Sequence, residues 1–183
     1  SKLLYVEGHF ECEKYFINCS NDIKDQFVVK KDFIDLNNKY ITDIKNSNSV
    51  SICIRQHRYS ERGFNDKQKS NEFTLNTINY VKKSVEFFKR KIPDSKFFIW
   101  SNDFTDLKNH FDNKEYTFIE NEKNKIITDF NLFRYCKHFI VGPSSFHWWG
   151  AWLNSNPDKI CLKPANINPS NNKDFWPKKW ITI

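Results

Sequence analysis

The sequence predicts an α/β fold from residue 49 onward, a mainly parallel sheet with flanking helices. Three observations carry this. Short β-branched or aromatic runs alternate with segments of helical periodicity. The gaps between runs are long enough for the helical crossovers that parallel pairing needs. And 183 residues, 39% of them apolar, can bury a core without disulfides or metals.

The elements follow in order. Over residues 10–45, Tyr15, Phe16, Ile23, Phe27, Phe33, Leu36, Tyr40 and Ile44 recur at three- and four-residue intervals. This predicts a broken helical stretch, and residues 1–48 are read as a linking segment. Residues 49–54 are β-branched and predict a first strand. A polar stretch, 55–71, follows. Phe73, Ile78, Val81, Val85, Phe88 and Ile92 then mark one face of a long helix stopped before Pro93. Residues 96–100 predict a second strand, and 103–110 a short helix capped by Ser101 or Asn102. Residues 116–119 predict a third strand, and 128–136 a helix with Thr128 and Asp129 at its start. A fourth strand at 138–141, a helix at 145–153 and a last strand at 159–162 precede a Pro/Asn-rich tail holding Trp176 and Trp180.

Composition narrows the function. Four glycines leave no room for a Gly-rich phosphate loop. No apolar run approaches the roughly 18 residues of a membrane span. The net charge of +7 suggests an anionic partner, but 24 of the 29 basic residues are Lys, which reads first as a solvated lysine background. The five cysteines form no C-x-x-C pair and are expected as reduced, mostly buried thiols. No Cys/His cluster has zinc-ligand spacing. Without a single Met, the chain is expected to be a piece of a longer protein.

In an open α/β sheet, ligands sit beyond the carboxyl ends of the strands. Three such ends stand out. After the first strand come Arg55-Gln56-His57-Arg58-Tyr59-Ser60-Glu61, where an arginine can grip phosphate bidentately or join a surface ion pair. After the second comes Asp103, suited to ribose hydroxyls or a base edge, or to starting the next helix. After the fourth, Gly142-Pro143 lead into Ser144-Ser145-Phe146-His147, whose free N–H groups and hydroxyls form an anion site without a charged residue. Trp148, Trp149 and Trp152 read as core or as stacking surfaces, and His147 as a packed helix histidine or a ligand contact.

The run Ser144-Ser145-Phe146-His147-Trp148-Trp149-Gly150-Ala151 resembles the Ser-Ser-Phe-Ser-Trp-Trp-Gly-Ala motif of the α-1,2-fucosyltransferases, glycosyltransferase family 11. Phe97-Phe98-Ile99-Trp100-Ser101-Asn102-Asp103 is similar to the family's Phe-Ser-Asp-Asp strand end. Asp129-Phe130-Asn131-Leu132-Phe133 through Cys136-Lys137-His138 resembles its Asp-Leu-x-Leu-Met…Cys-Lys-His segment. Glu13-Lys14-Tyr15-Phe16 and Trp176-Pro177 to Trp180 agree at the two ends. The family's His-x-Arg-Arg-x-Asp motif keeps its first arginine as Arg55, with Cys53, Gln56 and Arg58 at the other places.

The resemblance implies the Rossmann-like, GDP-fucose-binding half of a two-domain GT-B enzyme, spanning residues 49–183, with the N-terminal acceptor domain absent. It implies inverting, metal-independent transfer of L-fucose from GDP-β-L-fucose to the 2-hydroxyl of a galactose-terminated glycan. Beyond the donor, no cofactor is expected. Arg55 would stabilise charge on the β-phosphate, with Arg58 in place of the lost second arginine. Ser144, Ser145, the Phe146 N–H and His147 would border the diphosphate, and Asp103 would hold the guanine or ribose. Glu61 is the candidate general base, with His57 its rival. The expected setting is cytoplasmic, with peripheral association at the inner face of the membrane. An inactive sugar-nucleotide or glycan-binding module and a basic nucleic-acid-binding domain are the alternatives.

Overall fold

The computed structural model describes residues 5, 7, 10, 12–29, 38–61, 65–121, 126–170 and 172–183. The expectations at Phe33 and Leu36 lie outside them. Six strands form one all-parallel sheet: β1 (Asn48–Ile54), β2 (Ser95–Ser101), β3 (Tyr116–Phe118), β4 (His138–Ile140), β5 (Cys161–Lys163) and β6 (Ile181–Thr182), in the order β3-β2-β1-β4-β5-β6. This is a Rossmann-like α/β fold, as the alternating pattern predicts.

Among the described residues, five α-helices accompany the sheet: α1 (Ser20–Gln26), α2 (Ile41–Asn46), α3 (Lys67–Lys91), α4 (Ile126–Tyr135) and α5 (Ser145–Leu153). Each strand's alternating side chains supply both faces of the sheet. On β1, Val50, Ile52 and Ile54 pack with Ile78, Val81, Val85 and Phe88 of α3. On the other face, Phe98 and Trp100 of β2 and Phe139 of β4 pack with Phe133 of α4 and Trp148 and Trp152 of α5.

Four local expectations are corrected. The long helix starts at Lys67, within the stretch read as polar, because the Asp66 carboxylate accepts the Lys69 N–H at 2.9 Å and caps it. Residues 103–110 form only a 3-10 turn at Leu107–Asn109. Its N-cap is Asp106, and Asp103 makes a separate turn before it, its Oδ1 accepting the Thr105 N–H at 2.9 Å. The strand at β5 is not the last: the tail returns as β6, an exposed two-residue edge. Before residue 30, the helical stretch is two 3-10 turns, Glu13–Tyr15 and Ile17–Cys19, followed by the short α1.

The N-terminal segment is not separate from the core. Phe16, Ile41 and Ile44 lie in the same buried cluster as the α5 tryptophans. Phe16 packs edge-on against Trp148 and Trp152, at 6.2 and 5.1 Å between ring centroids. The Trp148 indole donates to the Phe175 carbonyl at 2.8 Å, and that of Trp152 to Glu13 at 3.2 Å. Both tryptophans are thus core residues that tie the two ends of the chain to the sheet. All five cysteines are free thiols; Cys12, Cys136 and Cys161 are buried, Cys53 partly so, and Cys19 exposed. Among the described residues, no helix is long and apolar enough to cross a membrane.

Candidate functional site

Strand order decides where the cleft lies. The chain moves from β1 to β2 and β3 on one side, then crosses back to β4 on the other. The loops leaving β1 and β4 therefore diverge, and ligand crevices form at such a switch point. A cavity of about 350 Å³ opens there. Cys53, Ile54 and Arg55 line it from the end of β1, and Trp100, Ser101 and Asn102 from the end of β2. Ile126 and Asp129 of α4, Ser144 and Phe146 at the start of α5, and Glu61 complete the wall.

The two strand ends are locked together. Asn102 pairs with Gln56 as a strand neighbour would: its Oδ1 accepts the Gln56 N–H at 2.8 Å and its Nδ2 donates to the Gln56 carbonyl at 3.1 Å. The buried Gln56 amide in turn donates to the Asp103 carbonyl at 2.6 Å. Gln56, at the place of the family motif's second arginine, is therefore a structural residue here. This bracing fixes the backbone from which Arg55 projects.

Arg55 stands on the cleft wall, its Nη2 donating to Glu61 Oε2 at 2.7 Å. Its Nε–H is buried and has no hydrogen-bond partner among the described residues. A buried donor without a partner is rare enough to need an explanation. Opposite, the N-cap of α5 is Ser144, whose backbone is extended and whose hydroxyl makes no capping bond. The first N–H groups of a helix have no partner within it, and the helix dipole favours an anion there. The tight turn before the helix, with Ser144 N–H bonded to the Gly142 carbonyl at 2.8 Å, brings Ser144 and Phe146 to the cavity.

The remaining residues singled out from the sequence are placed as follows. Ser145 is exposed on the first turn of α5. Glu61 lines the cavity beside Arg55, and its Oε1 accepts from Asn102 Nδ2 at 3.4 Å. Asp103 lies outside the lining. Its Oδ1 is taken by the Thr105 N–H and hydroxyl and its Oδ2 sits 3.0 Å from His57 Nε2. These bonds, first those from Thr105, hold its pKa down at about 2. His57 adopts a left-handed backbone, φ 59°, where the chain turns away from β1. Arg58 also lies outside the lining and donates to the Pro143 and Pro169 carbonyls at 3.4 and 2.9 Å. It staples the β1 loop to the turn before α5. His147 is fully buried beneath that turn, its Nδ1 accepting the Gly142 N–H at 2.6 Å.

Asp129 is the cavity residue to which the sequence assigned no binding role. Its position suited a helix start, but α4 begins three residues earlier, so the carboxylate faces the cleft from the first turn. Burial pushes its pKa up. The Asn121 amide, donating to Oδ1 at 2.6 Å, and the nearby Trp100 indole pull the other way. Cys53 is partly exposed, but its thiol is enclosed, and burial pushes its pKa up to about 12. Among the described residues, no group of three or more His, Cys, Asp or Glu side chains is placed to hold a metal ion.

The whole chain, residues 1–183, matches the sequence profile of Glycosyl transferase family 11. Two curated relatives come from Escherichia coli. One is an α-1,2-colitosyltransferase, 28% identical over 96% of this chain and 61% of its own length. The other is the O-antigen biosynthesis glycosyltransferase WbnK, 27% identical over 76% of this chain and 46% of its own. The chain thus spans about three fifths of the first relative and under half of the second. With a Rossmann-like sheet and a family match over its full length, the chain belongs to glycosyl transferase family 11, the α-1,2-fucosyltransferase family.

Proposed function

We propose that the chain is the donor-binding part of an inverting α-1,2-fucosyltransferase, which moves L-fucose from GDP-β-L-fucose to the 2-hydroxyl of a terminal galactoside. One observation carries the reading: Arg55, with a buried unpartnered N–H, and the open first turn of α5 share one cleft at the sheet's switch point. Departure of GDP builds charge on the β-phosphate, and catalysis consists in stabilising that charge more than the ground state. A guanidinium on one side and, on the other, the Ser144 and Ser145 hydroxyls with the Ser145 and Phe146 N–H groups suit this task. The protein then neutralises the leaving group itself.

The base end of the cleft follows from chemistry. A carboxylate only accepts hydrogen bonds. Asp129 therefore suits guanine, which presents N1–H and an amino group along one edge, and not adenine, whose edge mixes donor and acceptor. Trp100 supplies an aromatic wall beside it. Glu61, close to Arg55, is the carboxylate we assign to deprotonating the acceptor hydroxyl. For a sugar-nucleotide donor, the setting that fits this reading is the cytoplasmic side, with peripheral association at the inner face of the membrane.

Titration calorimetry with the chain tests the reading. GDP should bind, UDP and ADP should bind at least about tenfold more weakly, and Arg55→Ala should abolish GDP binding while leaving the fold intact. No binding of GDP, with salt-sensitive binding of a short RNA instead, would favour a nucleic-acid domain. GDP binding with no fucosyl transfer to a terminal galactoside would favour an inactive donor-binding module. A second donor deserves the same assay: the similarity to the α-1,2-colitosyltransferase over 96% of the chain favours trying a colitose donor beside the fucose one.

A further inference from the structure

The turn proposed to meet the diphosphate must be held without a sheet partner. The last ladder bond of this strand end is from the Val141 N–H to the Leu162 carbonyl, 2.9 Å. The next amide, Gly142 N–H, donates instead to a side chain, Nδ1 of His147, at 2.6 Å. His147 is fully buried, its ring 3.9 Å from that of Phe133 between centroids. Burial holds the imidazole neutral, its pKa well below the usual histidine value. Accepting at Nδ1 puts the proton on Nε2, and that buried Nε2 has no hydrogen-bond partner among the described residues.

An orphaned buried donor is a cost that leucine or phenylalanine would avoid. What the imidazole supplies in return is the acceptor that the Gly142 N–H uses. The family motif has serine at this place, so the imidazole is a feature of this chain. The glycine is confined on its far side as well, where an added Cβ would lie 2.1 Å from the Cys53 carbonyl oxygen.

We propose that His147 is a positioning residue for the donor. By accepting the Gly142 N–H from below, it sets the direction in which the turn presents the Ser145 and Phe146 N–H groups to the diphosphate. It touches no substrate and acts through the backbone. The inference rests on the reading of this turn as the diphosphate site.

Two variants and two ligands separate the possibilities. Asparagine at position 147 keeps an acceptor on Cγ, as Nδ1 is, whereas leucine keeps the bulk and removes the acceptor. In His147→Leu, GDP affinity should fall about tenfold or more, because a misdirected anion site is costly, while guanosine affinity stays within about twofold. His147→Asn should restore most of the GDP affinity. Equal GDP affinity in His147→Leu, a parallel loss of GDP and guanosine, or no rescue by asparagine would each overturn the proposal. Absence of GDP binding by the unaltered chain would overturn the diphosphate reading itself, and this inference with it. Should His147→Leu fail to fold, ¹⁵N spectra of the unaltered chain decide: GDP must shift the His147 Nδ1 and Gly142 amide resonances and guanosine must not. Unmoved resonances on GDP binding would overturn the proposal.

Discussion

Replacing Gly142 by alanine probes how closely the two strand ends approach at the cleft. The added Cβ would lie 2.1 Å from the Cys53 carbonyl oxygen and 3.4 Å from His147 Nδ1. Ordinary contact requires the first separation to grow by about 1 Å or more. Neither side can yield alone. Cys53 is in β1, in register with Trp100 of β2, and the residue before Gly142 is bonded to the Leu162 carbonyl. Forcing a methyl into a packed site costs about 1–3 kcal/mol, and between two backbones the upper figure applies. In a domain of this size that lowers Tm by about 6–12 °C. Gly150→Ala is the comparison. There the Cβ meets the Phe133 ring at 2.3 Å, a side chain and not a backbone, and alanine recovers about 1 kcal/mol of helix propensity. Urea denaturation should rank Gly142→Ala well below Gly150→Ala, and calorimetry should show GDP binding lost in the former. Stability of Gly142→Ala within about 0.5 kcal/mol of the parent would refute the close approach.

Three further outcomes follow from the same geometry. Arg55→Lys should lower transfer by about 100-fold, measured as kcat/KM, because an ammonium cannot reproduce the guanidinium fork. Glu61→Gln should raise GDP affinity, since the carboxylate competes for Arg55. The pair is about one-third exposed on each side, so the gain is at most about fivefold, while fucosyl transfer should fall if Glu61 is the base. The buried Cys136 thiol has its pKa raised by burial from 9.0. Above pH 9 the unfolded chain releases a proton that the fold retains, so stability is lost as pH rises. Lys159, whose pKa burial lowers to about 8, releases its proton first in the fold and works in the opposite direction. The thiol contribution is therefore read by difference. Under reducing conditions the parent should lose about 1.4 kcal/mol more than Cys136→Ala between pH 8 and pH 10.

The sheet was legible because β1 to β4 are short, largely buried runs rich in β-branched and aromatic residues. Edge strand β6 was not, because two exposed residues, Ile181 and Thr182, are too short a run to show a strand period; the returning tail makes the strand, with the Ile183 N–H on the Lys163 carbonyl. Arg55 and the start of α5 could be found because strand ends and helix starts imply their chemistry. The roles of Asp103 and Arg58 could not, since each has partners far along the chain, nor could that of His147, whose bond to Gly142 five residues back depends on how the turn folds over it. Arg58 reaches Pro143 and Pro169, and Asp103 reaches back to His57. Asp129 was hidden by an equally good local explanation as a helix-starting acid, and only the earlier onset of α4 turns it toward the cleft.

The net charge of +7 does little at the site itself. Among the described residues, Arg55 is the only basic side chain lining the cavity, and Glu61 offsets it at 2.7 Å. Arg58 is spent on two carbonyls. An anion bound here would be held by oriented N–H groups over contact distances, where salt screens poorly. A nucleic-acid domain instead gathers many lysine–phosphate contacts, and its affinity falls steeply with salt as counterions are released. The two modes therefore part in a single titration. Raising NaCl from about 50 to about 300 mM should weaken GDP binding by less than about threefold, where a domain making six or more phosphate contacts would lose at least about 1,000-fold. A loss of tenfold or more would mean that the lysine-rich surface, and not the turn before α5, holds the nucleotide.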